Sequence, residues 1–394
     1  MKRFRLLCAV MAALILWTAM PMGRLAAADE LPAQTVPEYT AEADALSCIL
    51  MDAKSGRVLY EKNADEALPP ASVTKVMTML LVFEALDAGT IALSDMVQAS
   101  ENAASMGGSQ IYLKVGEEMS VDDLLKSLIV ASANDAAVAL AEHISGSEAA
   151  FVAKMNARAQ ELGMKNTHFE NTNGLDDTAT NHVTSARDIA IMTREVTKHE
   201  AVFGYSGIWM DTIRNGEFGL TNTNRLIRFY KGATGLKTGS TAKAKFCISA
   251  TAERDGLSLI AVIMGAPTRD VRNALAASLF DFGFASYACY TDESAACDTV
   301  RVTGGVQNTL QTVHETFSET VIKGTENKVE KRVDMPEKLA APIVKGEKIG
   351  TVTYLVDGVE IGTSDILADE NVDKIGFSTL FPRLFSWFLC SPTK

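Results

Sequence analysis

The chain has 394 residues, 47% of them hydrophobic and 22% charged, with a formal net charge of −12 at pH 7. That balance excludes a disordered chain and is ample for one large core plus a second domain. The acidity argues against nucleic acid as a partner, because phosphate backbones are held by clustered lysine and arginine.

The first 28 residues read as a secretory leader. Lys2, Arg3 and Arg5 precede an apolar run from Leu6 to Met20, and Ala26-Ala27-Ala28 supplies a small-residue cleavage site. The alternative, an uncleaved anchor, is disfavoured by the shortness of the run and the site beyond it. Cleavage removes four positive charges and no acids, so the mature chain is more acidic still. It also removes Cys8, leaving Cys48, Cys247, Cys289, Cys297 and Cys390. An odd set without CxxC or Cys/His spacing does not make a disulfide scaffold or a metal site. Cys247 lies in an apolar run and is predicted to be a core residue. A bond between Cys289 and Cys297 is left open.

Beyond a polar leader, ALSCILMDAKSGRVLYEKN is predicted to be a hairpin turning at Lys54-Ser55-Gly56. Pro69 and Pro70 then stop the chain, and Val76, Met79, Leu80, Phe83 and Leu86 recur at helical spacing. Residues 120–145 are a second helical stretch, with Ser120 as N-cap, interrupted at ASAND. Residues 148–162 and 184–199 are also predicted helices. From residue 236 the period becomes that of strands: GLKTGST, KAKFCISATAERDG and LSLIAVIMGA, followed by the helix VRNALAASLFDFGFASY. Strands at both ends of this region with helices between them predict an α+β fold, an antiparallel sheet plus a helical lobe. Residues 289–369 alternate in short runs split by glycines and are predicted to be a small all-β domain. In the tail, Phe377, Leu380, Phe381, Leu384, Phe385 and Phe388 recur at i, i+3, i+4. The tail is too short to span a bilayer, and two readings stand: an amphipathic helix lying in a membrane surface, or a terminal helix docked on the body. Pro382 is expected to start or kink this helix.

The pattern Ser-x-x-Lys occurs three times. Ser391–Lys394 is terminal, and Ser240–Lys243 lies at a strand, where i and i+3 face opposite ways. Ser72–Lys75 stands on a helix, where the two share a face and the amine can reach the hydroxyl. A serine hydroxyl needs a base to attack a carbonyl, and lysine serves only if burial or a neighbouring cation weakens its hold on its proton. A second lysine is therefore expected near the first. Lys237-Thr238-Gly239 supplies one on a strand, with a glycine that lets backbone approach closely. Ser132-Ala133-Asn134 adds a hydroxyl and an amide at the helical break. Taken singly, each motif is more often a plain N-cap, a solvated charge or a kink; the three in order, on helix, break and strand, carry the signal.

This ordered set resembles that of serine β-lactamases and penicillin-binding proteins. With LPPASVTKVMTMLL, GGSQIYLKVGE, LIVASANDAAVALAE, NTHFENTNGLDD, TSARDIAIM and GLKTGST, the chain resembles the low-molecular-mass penicillin-binding proteins of the D-alanyl-D-alanine carboxypeptidase family, peptidase S11. The resemblance implies a serine β-lactamase/penicillin-binding-protein-like transpeptidase fold. It implies Ser72 as nucleophile, Lys75 as base, Ser132 as proton relay and Asn134 as the residue that fixes Lys75 and the substrate amide. The backbone N–H groups of Ser72 and Ser240 would form the oxyanion hole, and Lys237, Thr238 and Gly239 would bind substrate. It further implies a peptidoglycan stem peptide ending in D-Ala-D-Ala as substrate, β-lactams as covalent inhibitors, no cofactor and no metal. Arg225, Arg228 and Arg269 are candidates to assist the terminal carboxylate. The scattered histidines, His143, His168, His182, His199 and His314, are expected to be structural or exposed.

The expected domain limits are 1–28 for the leader, 29–288 for the peptidase domain, 289–369 for the β domain and 370–394 for an anchoring tail. Together they imply an exported protein held at the outer face of the cytoplasmic membrane. A β-lactamase is disfavoured by Ser-Ala-Asn in place of Ser-Asp-Asn, by the loop Glu170-Asn171-Thr172-Asn173 and by the extra domain. Endopeptidase or transpeptidase activity and a non-catalytic binding role are the remaining alternatives; the intact motifs argue against the last.

Overall fold

The computed structural model describes residues 36–177 and 179–390. The leader, Cys8 and the Ser391–Lys394 pair lie outside the described residues. The chain enters the fold through the hairpin β1 (Ser47–Asp52) and β2 (Val58–Lys62). It turns where the sequence predicts, with Asp52 Oδ1 accepting from Ser55 N at 2.6 Å. A 3₁₀ turn, Ala71–Thr74, leads into α1 (Lys75–Asp87). Helices α2 (Val121–Lys126), α3 (Asn134–Ser145), α4 (Glu148–Glu161) and α5 (Ala186–Val196) build a lobe around α1. Serine side chains cap three of them, Ser120 accepting from Asp123 N, Ser147 from Ala150 N and Ser185 from Asp188 N. A short ribbon, β3 (Met210–Ile213) with β4 (Phe218–Thr221), precedes β5 (Ala233–Thr241), β6 (Lys245–Arg254), β7 (Leu257–Ala266) and α6 (Arg269–Ser286).

The main sheet runs β2-β1-β7-β6-β5, antiparallel throughout, so strands from both chain ends pair as the α+β reading requires. Alternation sorts its side chains onto two faces. Ile260, Val262 and Met264 of β7 join Ile49 and Met51 of β1 under the helical lobe. Leu259, Ala261 and Ile263 join Cys48 and Leu50 on the other face, against Leu275, Leu279 and Phe280 of α6. Burying each large apolar side chain contributes about 1.5–3 kcal/mol, so a one-residue slip of β7 would reverse both cores at once. Helix α1 is buried nearly all round, which places Lys75 inside the protein.

The β-rich segment starts directly after α6 with β8 (Tyr287–Asp292), which pairs with β9 (Phe317–Ile322). Strands β10 (Val329–Asp334), β11 (Lys348–Val356) and β12 (Val359–Ala368) come next as antiparallel neighbours. Phe317 stacks on Tyr354 with ring centroids 3.9 Å apart, and Tyr354 donates to Asp292 at 2.8 Å. Arg57 Nη1 ties the hairpin to this segment by donating to Thr320 O at 3.2 Å. The open question of Cys289 and Cys297 resolves to two free thiols, as are Cys48 and the buried Cys247.

In α7 (Phe377–Cys390) Pro382 lies inside the helix and so does not start it. The turn ahead of the proline closes on Gly376 O, which accepts from Thr379 N at 3.1 Å and Leu380 N at 2.9 Å. The proline then forfeits one hydrogen bond rather than preventing nucleation. Phe377, Leu380, Phe381 and Phe385 are 80%, 41%, 56% and 57% exposed, so the apolar face is not docked on the body. Among the described residues no helix is long and apolar enough to cross a membrane.

Candidate active site

Ser72 sits one residue into the 3₁₀ turn that opens α1, next to Ala71 at φ +48°. An L-residue held in that region is strained, and its neighbours hold it there. Thr74 Oγ1 donates to Ala71 O at 2.9 Å. Gly174, at φ +84°, packs so tightly on the same carbonyl that a Cβ there would stand 1.8 Å from Ala71 O. His182 completes the prop: its Nδ1 accepts from Glu170 N at 2.9 Å, which leaves Nε2 to donate to Thr74 Oγ1 at 2.7 Å. Burial lowers the His182 pKa to about 4, so the ring is neutral at pH 7.

Lys75 begins α1, and its side chain is fully buried. Nζ donates to Ser72 Oγ at 3.0 Å, to Asn134 Oδ1 at 2.6 Å and to Asn173 O at 2.9 Å. Burial is the main force holding its pKa well below the ordinary lysine value, and the charge of Lys237 adds to it, against a smaller opposing pull from Asp135. The second lysine that the chemistry calls for is therefore in place. Lys237 lies on β5 opposite Ser249 of β6, is itself buried and has its pKa lowered to about 7, chiefly by burial and then by the Arg272 guanidinium.

The helical break places the third motif. A wide turn at 127–131 ends at Ser132 in the left-handed region, φ 64°, after which α3 starts at Asn134. Asn134 is held at three points: Oδ1 on Lys75, Nδ2 donating to Gly107 O at 2.6 Å and N donating to Ser109 O at 2.7 Å. Asp135, also buried, accepts from Ile111 N and Leu113 N and so fastens the loop carrying Ser109. On the far wall Thr238 Oγ1 donates to Thr223 Oγ1 at 2.7 Å. Gly239 lies against the nucleophile turn, where a Cβ would come 2.7 Å from Ser72 N.

A cavity of about 660 Å³ opens over these groups. Ser72, Ser132, Thr238, Gly239 and Ser240 line it; Lys75, Asn134 and Lys237 are the buried groups behind them. All eight sequence-predicted site residues thus fall in or directly beneath one cleft. Of the three candidate arginines, Arg225 and Arg269 line the cavity, while Arg228 instead stacks over Trp209 and Phe229. Lys243 turns away from Ser240 and donates to Asp176 O at 3.1 Å. Sequence reasoning missed Arg272, a buried cation that also lines the cavity, although it stands one helical turn beyond Arg269. It also missed Asn173 O and the His182 prop, which are brought in by a loop with no motif of its own.

A Ser–Lys pair at a helix start with its lysine buried, a second lysine on the facing edge strand and an antiparallel sheet backed by a helical lobe define a serine acyl-transfer enzyme of the penicillin-binding type. The comparisons with known proteins specify it. Residues 33–268 match the Peptidase S11 family, D-alanyl-D-alanine carboxypeptidase, and residues 289–374 match the C-terminal domain of penicillin-binding protein 5. D-alanyl-D-alanine carboxypeptidase DacF of Bacillus subtilis is 45% identical over 347 residues, 86% of this chain and 89% of the relative. DacC of Escherichia coli is 35% identical over 364 residues, 88% of this chain and 89% of the relative. The crystal structure of penicillin binding protein 5 from Haemophilus influenzae superposes with a TM-score of 0.73 at 33% identity, covering 86% of this chain and all of that one. The chain belongs to the D-alanyl-D-alanine carboxypeptidase family, and it is a serine-type carboxypeptidase of the cell wall.

Proposed function

We propose that Ser72 attacks the carbonyl between the last two D-alanines of a peptidoglycan stem peptide, with Lys75 as its base. The observation that carries this is the 3.0 Å contact between Lys75 Nζ and Ser72 Oγ in a buried site that disfavours the ammonium form. As a neutral amine, Lys75 keeps two N–H bonds, to Asn134 Oδ1 and Asn173 O, and turns its lone pair to the Ser72 hydroxyl. The backbone N–H groups of Ser72 and Ser240 receive the developing oxyanion. Ser132 hands a proton to the leaving amine, and Asn134 orients Lys75 and the substrate amide. Lys237 and Thr238, with Arg225, Arg269 and Arg272 beside them, take the terminal carboxylate. Water then releases the acyl-enzyme.

The same geometry supports acylation of Ser72 by β-lactams. Incubation with a pentapeptide stem should release D-alanine from the wild type and none from Ser72→Ala, and intact-mass measurement should find a long-lived penicilloyl adduct. Absence of both release and adduct would remove the assignment; rapid turnover of penicillin would turn it into a β-lactamase.

The leader at 1–28 is proposed to export the protein, and the segments 29–288 and 289–369 are proposed as its peptidase and β domains. The tail, 370–394, is proposed to hold it at the outer face of the cytoplasmic membrane. The open apolar face of α7 supports this reading.

A further inference from the structure

Asp135 is a buried acid, 1% exposed, to which the reaction outlined above gives no part. Among the described residues its carboxylate is held by backbone N–H groups alone. Oδ2 accepts from Ile111 N at 3.0 Å and Leu113 N at 3.1 Å, and Oδ1 from Ile111 N at 3.1 Å and Ala136 N at 2.9 Å. A side chain that only accepts matches the ionised form of an acid. It stands in the first turn of α3, at the positive end of the helix dipole.

Two of those donors belong to one loop. Ile111 and Leu113 are gripped on either side of Tyr112, which is left at φ +59° with its ring 65% exposed. A bulky residue takes that conformation only where its surroundings impose it. Arg214 braces the same stretch from the other side, with Nη1 donating to Ile111 O at 2.8 Å and Nε to Glu117 Oε1 at 2.7 Å. The loop then closes on Asn134. Gly107 O and Ser109 O accept from Asn134, and Gly108, at φ +75°, comes so near that a Cβ would stand 2.8 Å from Asn134 Nδ2. Asn134 Oδ1 in turn accepts from Lys75 Nζ at 2.6 Å, so a continuous run of contacts joins Asp135 to Lys75. Charge is a second link. The groups bonded to Lys75 Nζ, namely Ser72 Oγ, Asn134 Oδ1 and Asn173 O, are neutral. Burial and the Lys237 cation lower the Lys75 pKa, and Asp135 pulls the other way.

We propose that Asp135 is a positioning residue for the Ser72 reaction: it seats the 107–113 loop, and through it Asn134, on Lys75, and its buried charge faces the ammonium that forms when Ser72 gives up its proton. The inference rests on Lys75 acting as the base, as proposed above. The proton moves from Ser72 Oγ to Lys75 Nζ and none reaches Asp135, whose oxygens stay on their N–H donors. A lysine buried beside a second cation holds a proton poorly, and too weak a base cannot take one from serine. Asp135 offsets part of that weakness from within the fold, out of reach of the substrate.

The test follows acylation of the full chain by penicillin as a function of pH in the wild type, Asp135→Asn and Asp135→Glu. Rates are expressed per Ser72 finally labelled, so unfolded protein drops out. Asp135→Asn keeps the shape and loses the charge and one acceptor. Its rising limb, which reports loss of the Lys75 proton, should lie at lower pH than in the wild type. Its plateau rate should be about 10²-fold lower, the cost of a reacting group displaced by about 1 Å. Asp135→Glu keeps the charge but pushes the loop outward, so its plateau should fall while its limb stays in place. Asp135→Ser, a second neutral variant, should repeat the limb shift and carries the test where Asp135→Asn does not fold. A limb that the neutral variants leave at the wild-type pH, or plateaus equal to that of the wild type, overturns the inference and leaves Ser72 and Lys75 in their roles. A wild type that takes no label overturns the nucleophile and this inference together.

Discussion

Gly239 lies closer to Ser72 than any side chain allows: a Cβ at position 239 would stand 2.7 Å from Ser72 N and 2.9 Å from Val73 N. The strand edge and the helix start meet through bare backbone. Gly239→Ala must push β5 away from the turn, opening the gap between the two N–H groups assigned to the oxyanion. A displaced oxyanion donor costs about 10²–10³ in kcat. Steady-state release of D-alanine should therefore fall by that order while KM changes less. An unchanged kcat would show that the oxyanion is held elsewhere.

The opposed duties proposed for two lysines predict the pH profile. Lys75 acts as base only when neutral, and its pKa is held well below the ordinary value. Lys237 holds a carboxylate only when protonated, and its pKa is about 7 in the free enzyme. The kcat/KM profile should thus fall as pH rises through about 7. Bound carboxylate raises the pKa of Lys237, so the falling limb of kcat should lie at higher pH. Lys237→Arg keeps its charge and should shift the kcat/KM limb upward. A limb that stays in place in Lys237→Arg would assign it to another group.

Much of this was legible locally. Helical spacing after Pro70 put Ser72 and Lys75 on one face, the cap at Ser120 opened the next helix, and the apolar strand-like run LSLIAVIMGA marked the central strand. The ordered motifs indicated that Lys237 should lie near Lys75. What sequence could not supply was long-range geometry. Nothing in the loop at 171–174 announces that Asn173 O accepts from Lys75 or that Gly174 seats on Ala71. Arg272 reads as an ordinary helix-surface charge until the fold buries it beside Lys237. The cysteines at 289 and 297 resolve only once their strands are placed, because pairing depends on Cβ positions and not on spacing.

His182 makes the nucleophile turn sensitive to acid. Its pKa is about 4 in the folded protein against an ordinary 6.5, so the unfolded chain binds more protons between those values. Stability then rises with pH across that window and is fully present above it. At pH 5 the cost is about 2 kcal/mol relative to pH 7. Denaturant unfolding at the two pH values should show this loss in the wild type, and the part due to His182 should vanish in His182→Gln. Equal losses in both proteins would place the titration elsewhere.

The membrane attachment proposed for α7 can be tested apart from the fold only if the tail is cut at the right residue. Val372 is buried and bridges Ile343, and Lys374 bridges Gly305, so the segment to residue 374 belongs to the β fold. A cut at 370, where the sequence changes character, would remove a strand partner and mix instability with release. A stop after Gly376 removes α7 and residues 391–394 alone, and with them the exposed Phe377, Leu380, Phe381 and Phe385. Each ring or leucine placed in the interface contributes by its buried apolar area, about 25 cal/mol per Å². Flotation with anionic vesicles should retain the full chain and lose the protein ending at Gly376, with penicillin labelling of Ser72 unchanged. Restoring α7 with Phe381→Glu and Phe385→Glu should abolish retention as well, because charge on the apolar face opposes insertion. Retention of the form lacking α7 would transfer the membrane contact to another surface.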